Sequence, residues 1–166
     1  MKRSLDGFDV QLLNLLQRNN QLTADEMSKQ VPLSASAIGR RLRSLRAARL
    51  IEAEVAILSP SLFGDRLRAA VQVQLREHAD AAAIAGFRNM VVGEEDVQAC
   101  LEVSGAFDIL LLTISSDMAA FTDFADRVLA SNPMVSRYET SFIKKVWKST
   151  TAANVELTGA ASAIDA

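Results

Sequence analysis

Pro32 separates two stretches that each read as a short helix, and this arrangement constrains the fold more than any other feature of the chain. Ahead of it, Thr23 and Glu26 have the spacing of a capping box. In that motif the Thr hydroxyl accepts from the N–H three residues on, and the Glu carboxylate accepts from the N–H of the Thr. Met27 and Val31 then supply an inward face. Proline lacks the N–H that would extend the helix, and its ring clashes with the preceding turn. Beyond it, Ser34 offers a fresh N-cap, and Ile38, Leu42 and Leu45 follow at i, i+4 and i+7. Upstream, "LDGFDVQLLNLLQ" (5–17) sets Phe8, Leu12, Leu15 and Leu16 at helical spacing behind Asp6 as a cap. Two short helices separated by about three residues make a helix-turn-helix.

The second of these helices holds Arg40, Arg41, Arg43, Arg46 and Arg49 within ten positions that contain no acidic residue. Residues 1–58 carry nine basic against six acidic side chains, net +3, and the remaining 108 carry nine against fourteen, net −5. Such asymmetry points to different partners for the two parts. The polar side of the helix is Ser36, Arg40 and Arg43 with part of Arg41 and Arg46, and its first turn, "SASA", is small. One reading is a solvated amphipathic helix. The other is an element inserted into the major groove of DNA, where a small tip permits close approach and the planar guanidinium suits phosphate and guanine. The capping box, the turn and the absence of acids coincide, and favour DNA.

After Leu50, "IEAEVAILSP" reads as a strand, which would complete a winged arrangement, and Pro60 and Gly64 mark a linker across 53–65. "RLRAAVQVQLRE" (66–77) alternates as a strand, Asp80 to about Met90 reads as a helix, and 97–105 and 107–116 read as strands around a tight turn at Gly105. Residues 117–131 read as a helix capped by Asp117 and stopped at Asn132-Pro133, and 135–148 as a last strand. The order βαββαβ is a ferredoxin-like α/β sandwich. The small, polar tail after 150 is expected to fray or to pack weakly at an edge.

Catalysis finds little footing. His78 has no Cys or His near it at metal-ligand spacing and reads as a solvated loop residue; Cys100, in a strand, reads as a small core hydrophobe. No glycine-rich phosphate loop occurs, and "EED" (94–96) is most simply a solvated loop. The expectation is no enzyme, no metal and no cofactor. A single cysteine, no signal-like segment and no apolar run of membrane-spanning length suggest a soluble cytoplasmic protein. "VSGAFD" (103–108) is more suggestive. Gly105 permits a backbone conformation closed to other residues, and Asp108 follows just after the turn. Both either simply make the hairpin, or offer turn N–H groups and a carboxylate to a small zwitterion.

Taken in order, "LDGFDVQLLNLLQRN", "LTADEMSKQVPLSASAIGRRLRSLRAARLI", "AILSPSLFG", "VQACLEVSGAFDILLLT" and "DMAAF" resemble the Lrp/AsnC (leucine-responsive/asparagine-responsive, feast/famine) transcriptional regulators over residues 5–150. The resemblance implies an α+β chain. Residues 1–52 would be a winged helix-turn-helix, 53–65 a linker strand, 66–150 a ferredoxin-like effector and oligomerisation domain, and 151–166 a tail. It implies homodimers through the C-terminal sheets, often assembled into tetramers or octamers, with amino-acid effectors in clefts between those domains. Carried over residue by residue, the DNA contacts fall on Ser34, Ser36, Arg40, Arg41 and Arg43, and the effector site on Gly105, Asp108, Tyr138 and Thr140. Tyr138 departs from the Thr-x-Thr that the family often has there, and "SASAIG" lacks the Pro and acidic residue of many members. The expected function is a DNA-binding transcription regulator that answers to an amino acid. The alternative is an architectural DNA-bending protein with little effector control.

Overall fold

The computed structural model describes residues 4–76 and 81–157, which form two compact units, one of residues 4–57 with 148–157 and the other of 58–147. The first holds α1 (Gly7–Leu16), α2 (Ala24–Ser28) and α3 (Ala35–Ala47). Each begins where a side chain satisfies backbone N–H groups that the helix cannot. Asp6 accepts from Phe8 and Asp9, Thr23 and Glu26 form the reciprocal capping box, and Ser34 accepts from Ala37. Leu12, Met27, Val31, Ile38, Leu42 and Leu45 close into one buried cluster.

α3 ends in a Schellman motif, with the Leu50 N–H donating to the Leu45 carbonyl and the Arg49 N–H to that of Arg46. The motif requires a left-handed residue at the position of Arg49, whose φ is 53°. Here an L side chain is strained where glycine would not be. The chain then runs to residue 59 without regular secondary structure or a sheet partner among the described residues, and leaves Val55 and Ile57 exposed. The strand expected over 51–60 is therefore not a strand: alternation makes a face, but only a neighbouring backbone makes a ladder. What holds the segment is the paired Arg46–Glu54 contact at 2.7 and 3.2 Å.

The second unit opens on a 3-10 turn, Pro60–Phe63, followed by β1 (Leu67–Leu75), α4 (Ala81–Val92), β2 (Val97–Glu102), β3 (Ile109–Ser115), α5 (Met118–Phe124) and β4 (Val135–Phe142). α5 starts on Asp117, as its cap predicts, and runs on into a π-helical turn, Ala125–Ala130. The sheet is antiparallel in the order β2-β3-β1-β4, so each βαβ unit is split by a strand of the other, which is the ferredoxin-like arrangement. Ala69, Val71, Val73, Ile109 and Leu111 point to one face and pack against Phe87, Val91, Phe121, Phe124, Val128 and Leu129 of the helices. Half-buried Cys100 packs against this core, and burial pushes its thiol pKa up.

Several expectations shift. β4 stops at Phe142 rather than running to 148. Glu94 and Asp96 are not simply solvated: Glu94 pairs with Arg127 through two hydrogen bonds of 2.6 and 2.7 Å, and Asp96 accepts from the Ser115 hydroxyl at 2.9 Å. Of the two expectations for the tail, fraying or packing at an edge, its described part packs: Val155 and Ala153 are hydrogen-bonded to the side chains of Asn14 in α1 and Gln17 at its end. His78 and the helix start expected at Asp80 lie outside the described residues.

Arg49→Gly is expected to stabilise the N-terminal unit by about 1 kcal/mol, because it relieves the left-handed strain at the helix end. The measurement is the shift of its thermal or urea midpoint.

Candidate functional site

α3 presents two different arginine environments. Ser36, Arg40 and Arg43 follow one another at i, i+4 and i+7, opposite the buried row Ile38, Leu42 and Leu45, and all three are exposed. Arg40 and Arg43 have no ion-pair partner among the described residues. Ser34 spends its hydroxyl on the cap and on a 3.1 Å contact with the Ser36 hydroxyl at the helix tip.

Arg41, expected on the same face, turns inward. Its Nη1 lies 2.7 Å from an Asp6 oxygen and 2.8 Å from an Asp9 oxygen, and its guanidinium sits 5.5 Å from the Phe8 ring centroid. Asp9 is 1% exposed, so Arg41 places a cation against a carboxylate shielded from water. Hydrogen bonds to the Asp9 and Asp6 carboxylates raise the Arg41 pKa. The Asp6 carboxyl is lowered, first by the hydrogen bond it accepts from the Asp9 N–H and further by Arg41. Arg46 is likewise committed, to Glu54. Of the five arginines in 40–49, two are thus internal struts, and Arg41 is a positioning residue rather than a free contact.

In the second unit a shallow cleft of about 300 Å³ is lined by Gln72, Val103, Ser104, Gly105, Ala106, Phe107 and Leu110. Gln72 and Leu110 are register partners on the sheet face turned away from the helices. Gly105 is not in a left-handed conformation, and a Cβ there would meet nothing within 4 Å. It serves the cleft by leaving space, not by bending the chain. Asp108 does not line the cleft. Its carboxylate accepts from the Leu75 N–H at 2.7 Å, its N–H donates to the Val73 carbonyl and its carbonyl accepts from Val103. The side chain thereby extends the β1–β3 ladder past the end of β3. Tyr138 and Thr140 pair with Val73 and Val71, so they share the helix-side face and not that of the cleft. One chain therefore brings Gly105 to the cleft but not Asp108, Tyr138 or Thr140.

Two neighbours were absent from the sequence reading. Phe107 forms a wall of the cleft, and Arg137 stacks on it at 5.0 Å from the ring centroid while donating to Gln74 at 2.8 Å. A signal existed for Arg137, because it alternates with Tyr138 and must point to the opposite face of β4.

The sequence matches an AsnC-type helix-turn-helix domain over residues 5–46 and an Lrp/AsnC ligand binding domain over 68–153. The chain belongs to the Lrp/AsnC family of transcriptional regulators. It is 34% identical over 154 residues to an uncharacterized HTH-type transcriptional regulator of Sinorhizobium fredii, covering 92% of this chain and 90% of that one. It is 32% identical over 134 residues to the leucine-responsive regulatory protein of Escherichia coli K12, covering 81% of each. The fold is similar to the crystal structure of a Neisseria meningitidis transcriptional regulator in complex with L-Met, with a TM-score of 0.81, 34% identity and coverage of 93% and 97%. An AsnC family regulator from Agrobacterium tumefaciens gives a TM-score of 0.80 at 25% identity, over 90% and 96% of the two chains. For an Lrp/AsnC regulator the helix-turn-helix is the DNA-binding element, and α3 is its second helix.

Breaking an exposed ion pair costs little and breaking a buried one costs about 3–5 kcal/mol. The Arg41–Asp9 pair lies between these, with side chains 27% and 2% exposed. Arg41→Ala is expected to destabilise the N-terminal unit by about 2 kcal/mol. The contribution of Asp6 has a pH signature. Because its folded pKa is lowered, that contribution is complete above the ordinary carboxylate range and is lost as pH falls through the lowered value. Asp6→Asn should accordingly flatten the acid limb of the stability curve, read from urea midpoints between neutral pH and roughly pH 3.

Proposed function

We propose that the chain regulates transcription as a homodimer that sets α3 of each copy into the major groove of duplex DNA, and that an amino acid bound at the Gly105 cleft alters its assembly or DNA affinity. The observation that carries the DNA part is the division among the arginines of α3. Arg40 and Arg43 share the outward face with Ser36 and have no carboxylate partner among the described residues, while Arg41 is held from behind. Ser34 and Ser36 form the small tip that approaches the bases. Arg40 and Arg43 supply phosphate contacts, and one of them a bidentate guanine contact.

The dimer reading rests on the open face of the sheet. Leu110, Leu112 and Ile114 of β3 and Leu101 of β2 lie there, and Leu101 is 46% exposed. An antiparallel sheet faces water comfortably where that face is polar; on this one the polar Gln72, Gln74 and Arg137 of β1 and β4 lie beside an apolar strip over β3 and β2. A second copy covers it by the same surface, as a two-fold interface requires. Dimers of this kind associate further into tetramers or octamers. No described helix is long and apolar enough to cross a membrane, and the site of action would be the cytoplasm.

The cleft opens on that same face, so a second copy would close it. Arg137, stacked on Phe107, offers a cation to an effector carboxylate, and Val103 and Leu110 offer an apolar wall. Asp108, Tyr138 and Thr140 act from outside the cleft, by fixing the strands that shape it. The similar Neisseria protein was solved with L-Met, which makes L-methionine the first amino acid to test.

Two measurements test these parts separately. Arg40→Ala with Arg43→Ala should weaken binding to every duplex, and should flatten the slope of log affinity against log salt by about 2 for each helix engaged. An unchanged slope overturns the role of this face. In a thermal-shift titration with each of the twenty amino acids, a binder should raise the midpoint by mass action. Gly105→Leu, which fills the cleft without backbone strain, should abolish the shift. Indifference to all twenty favours the architectural reading instead.

A further inference from the structure

The docking of the C-terminal segment on α1 is a built contact between two parts of one chain. Asn14 donates to the Val155 carbonyl and accepts from the Val155 N–H, both at 2.9 Å. Gln17 does the same with Ala153, both at 2.8 Å. A side-chain amide carries a donor and an acceptor side by side, as a strand edge does, so each pairs with both backbone polar groups of one residue. Asn14 and Gln17 are i and i+3 on the helix, and their targets are alternate residues of an extended chain, which is the spacing that lets both pairings form at once. The half-buried Val155 side chain packs against the helical core. Nearby, the Thr150 hydroxyl accepts from the Ala152 N–H and fixes the approach of the segment.

We propose that Asn14 and Gln17 form a peptide-docking site for residues 152–156 of this chain, and that the docked segment is a releasable latch linked to DNA binding. Release is built into its composition. It has no regular secondary structure, Ala153 and Asn154 are exposed, and one half-buried valine is its apolar anchor. Exposed hydrogen bonds exchange readily for water, so such a segment opens without unfolding the helices beneath it. Consequence is built into its connectivity. The chain leaves the helical unit after Ile57 and returns to it at Lys148, six residues beyond β4, so docking gives that unit a second tether. An equilibrium between docked and released forms is a two-state element that DNA biases if it prefers one of them.

The test uses full-length protein and random-sequence duplex DNA, and it follows from reciprocity: if release changes DNA affinity by some factor, DNA must change release by the same factor. Amide exchange at Ala153 and Val155 reports docking. Asn14→Ala with Gln17→Ala, and separately Val155→Ser, should speed that exchange by on the order of tenfold. Both variants should also shift DNA affinity several-fold, and DNA added to the wild type should change the same two amide rates by a matching factor. Retained protection in both variants overturns the docking site, and lost protection with unchanged DNA affinity overturns the latch. The inference rests on the DNA-binding reading. A wild type that does not bind the duplex at all removes that reading, whereas a wild type that binds without linkage removes the latch alone.

Discussion

A carboxylate shut away from water at the start of α1 decides which arginines of α3 remain outside. Asp9 is almost fully buried, and a buried charge without a counter-charge costs several kcal/mol. Arg41 answers it, and in doing so fixes the rotation of α3 about its own axis more sharply than the apolar row alone can. Leu and Ile contacts are non-directional and tolerate some rolling. An Arg held between two carboxylates, against the face of Phe8, does not. With that strut in place, Arg40 and Arg43 stand on the opposite side, and the small serine tip leads.

What could be read from the sequence follows the distance over which each interaction acts. The caps at Asp6, Thr23, Ser34 and Asp117 were legible because donor and acceptor lie within three residues. So was the βαββαβ order, because alternation and helical spacing are local patterns. The partners of Arg41 were not, since Asp9 lies 32 residues away and Asp6 lies 35 away. For the same reason a loop carboxylate such as Glu94 looked merely solvated until the π-helical turn after α5 brought Arg127 to it. Alternation over 51–60 misled in the other direction, because it describes a potential face and is silent about a partner strand. Gly105 misled through its residue type, since glycine signals either a left-handed turn or plain room, and here it is room.

The same contrast separates the two faces of the sheet. Burial fixes the helix side: Val71 and Val73 lie opposite Leu111 and Ile109, and Thr140 and Tyr138 follow them from β4. Side-chain alternation then obliges Gln72, Gln74, Arg137 and Leu110 to the other face, away from the helices. Asp108 matters at the junction of the two. By supplying its carboxylate to the Leu75 N–H beside the bulge at Gln74–Leu75, it holds the end of β1 in place just ahead of the first residue of β3. Its contribution to a neighbouring cleft is positional, and a carboxylate already serving the backbone has less to offer a ligand.

Under the proposed function, that only Arg40 and Arg43 of the five arginines in 40–49 stand on the outward face without an ion-pair partner among the described residues also bears on why the chain would act as an oligomer. Affinity falls with salt by a power of about 0.9 per phosphate neutralised. Two contacts from one helix therefore change affinity by only about tenfold across a fourfold range of salt, which marks a weak electrostatic hold. Adding arginines would strengthen the hold on every sequence alike, since phosphate contacts carry no sequence information. Pairing two modest helices multiplies their contributions instead, and it does so only where two half-sites lie about one helical turn apart. With Arg41 and Arg46 paired to carboxylates of their own chain, discrimination under the proposed function would rest on spacing more than on charge.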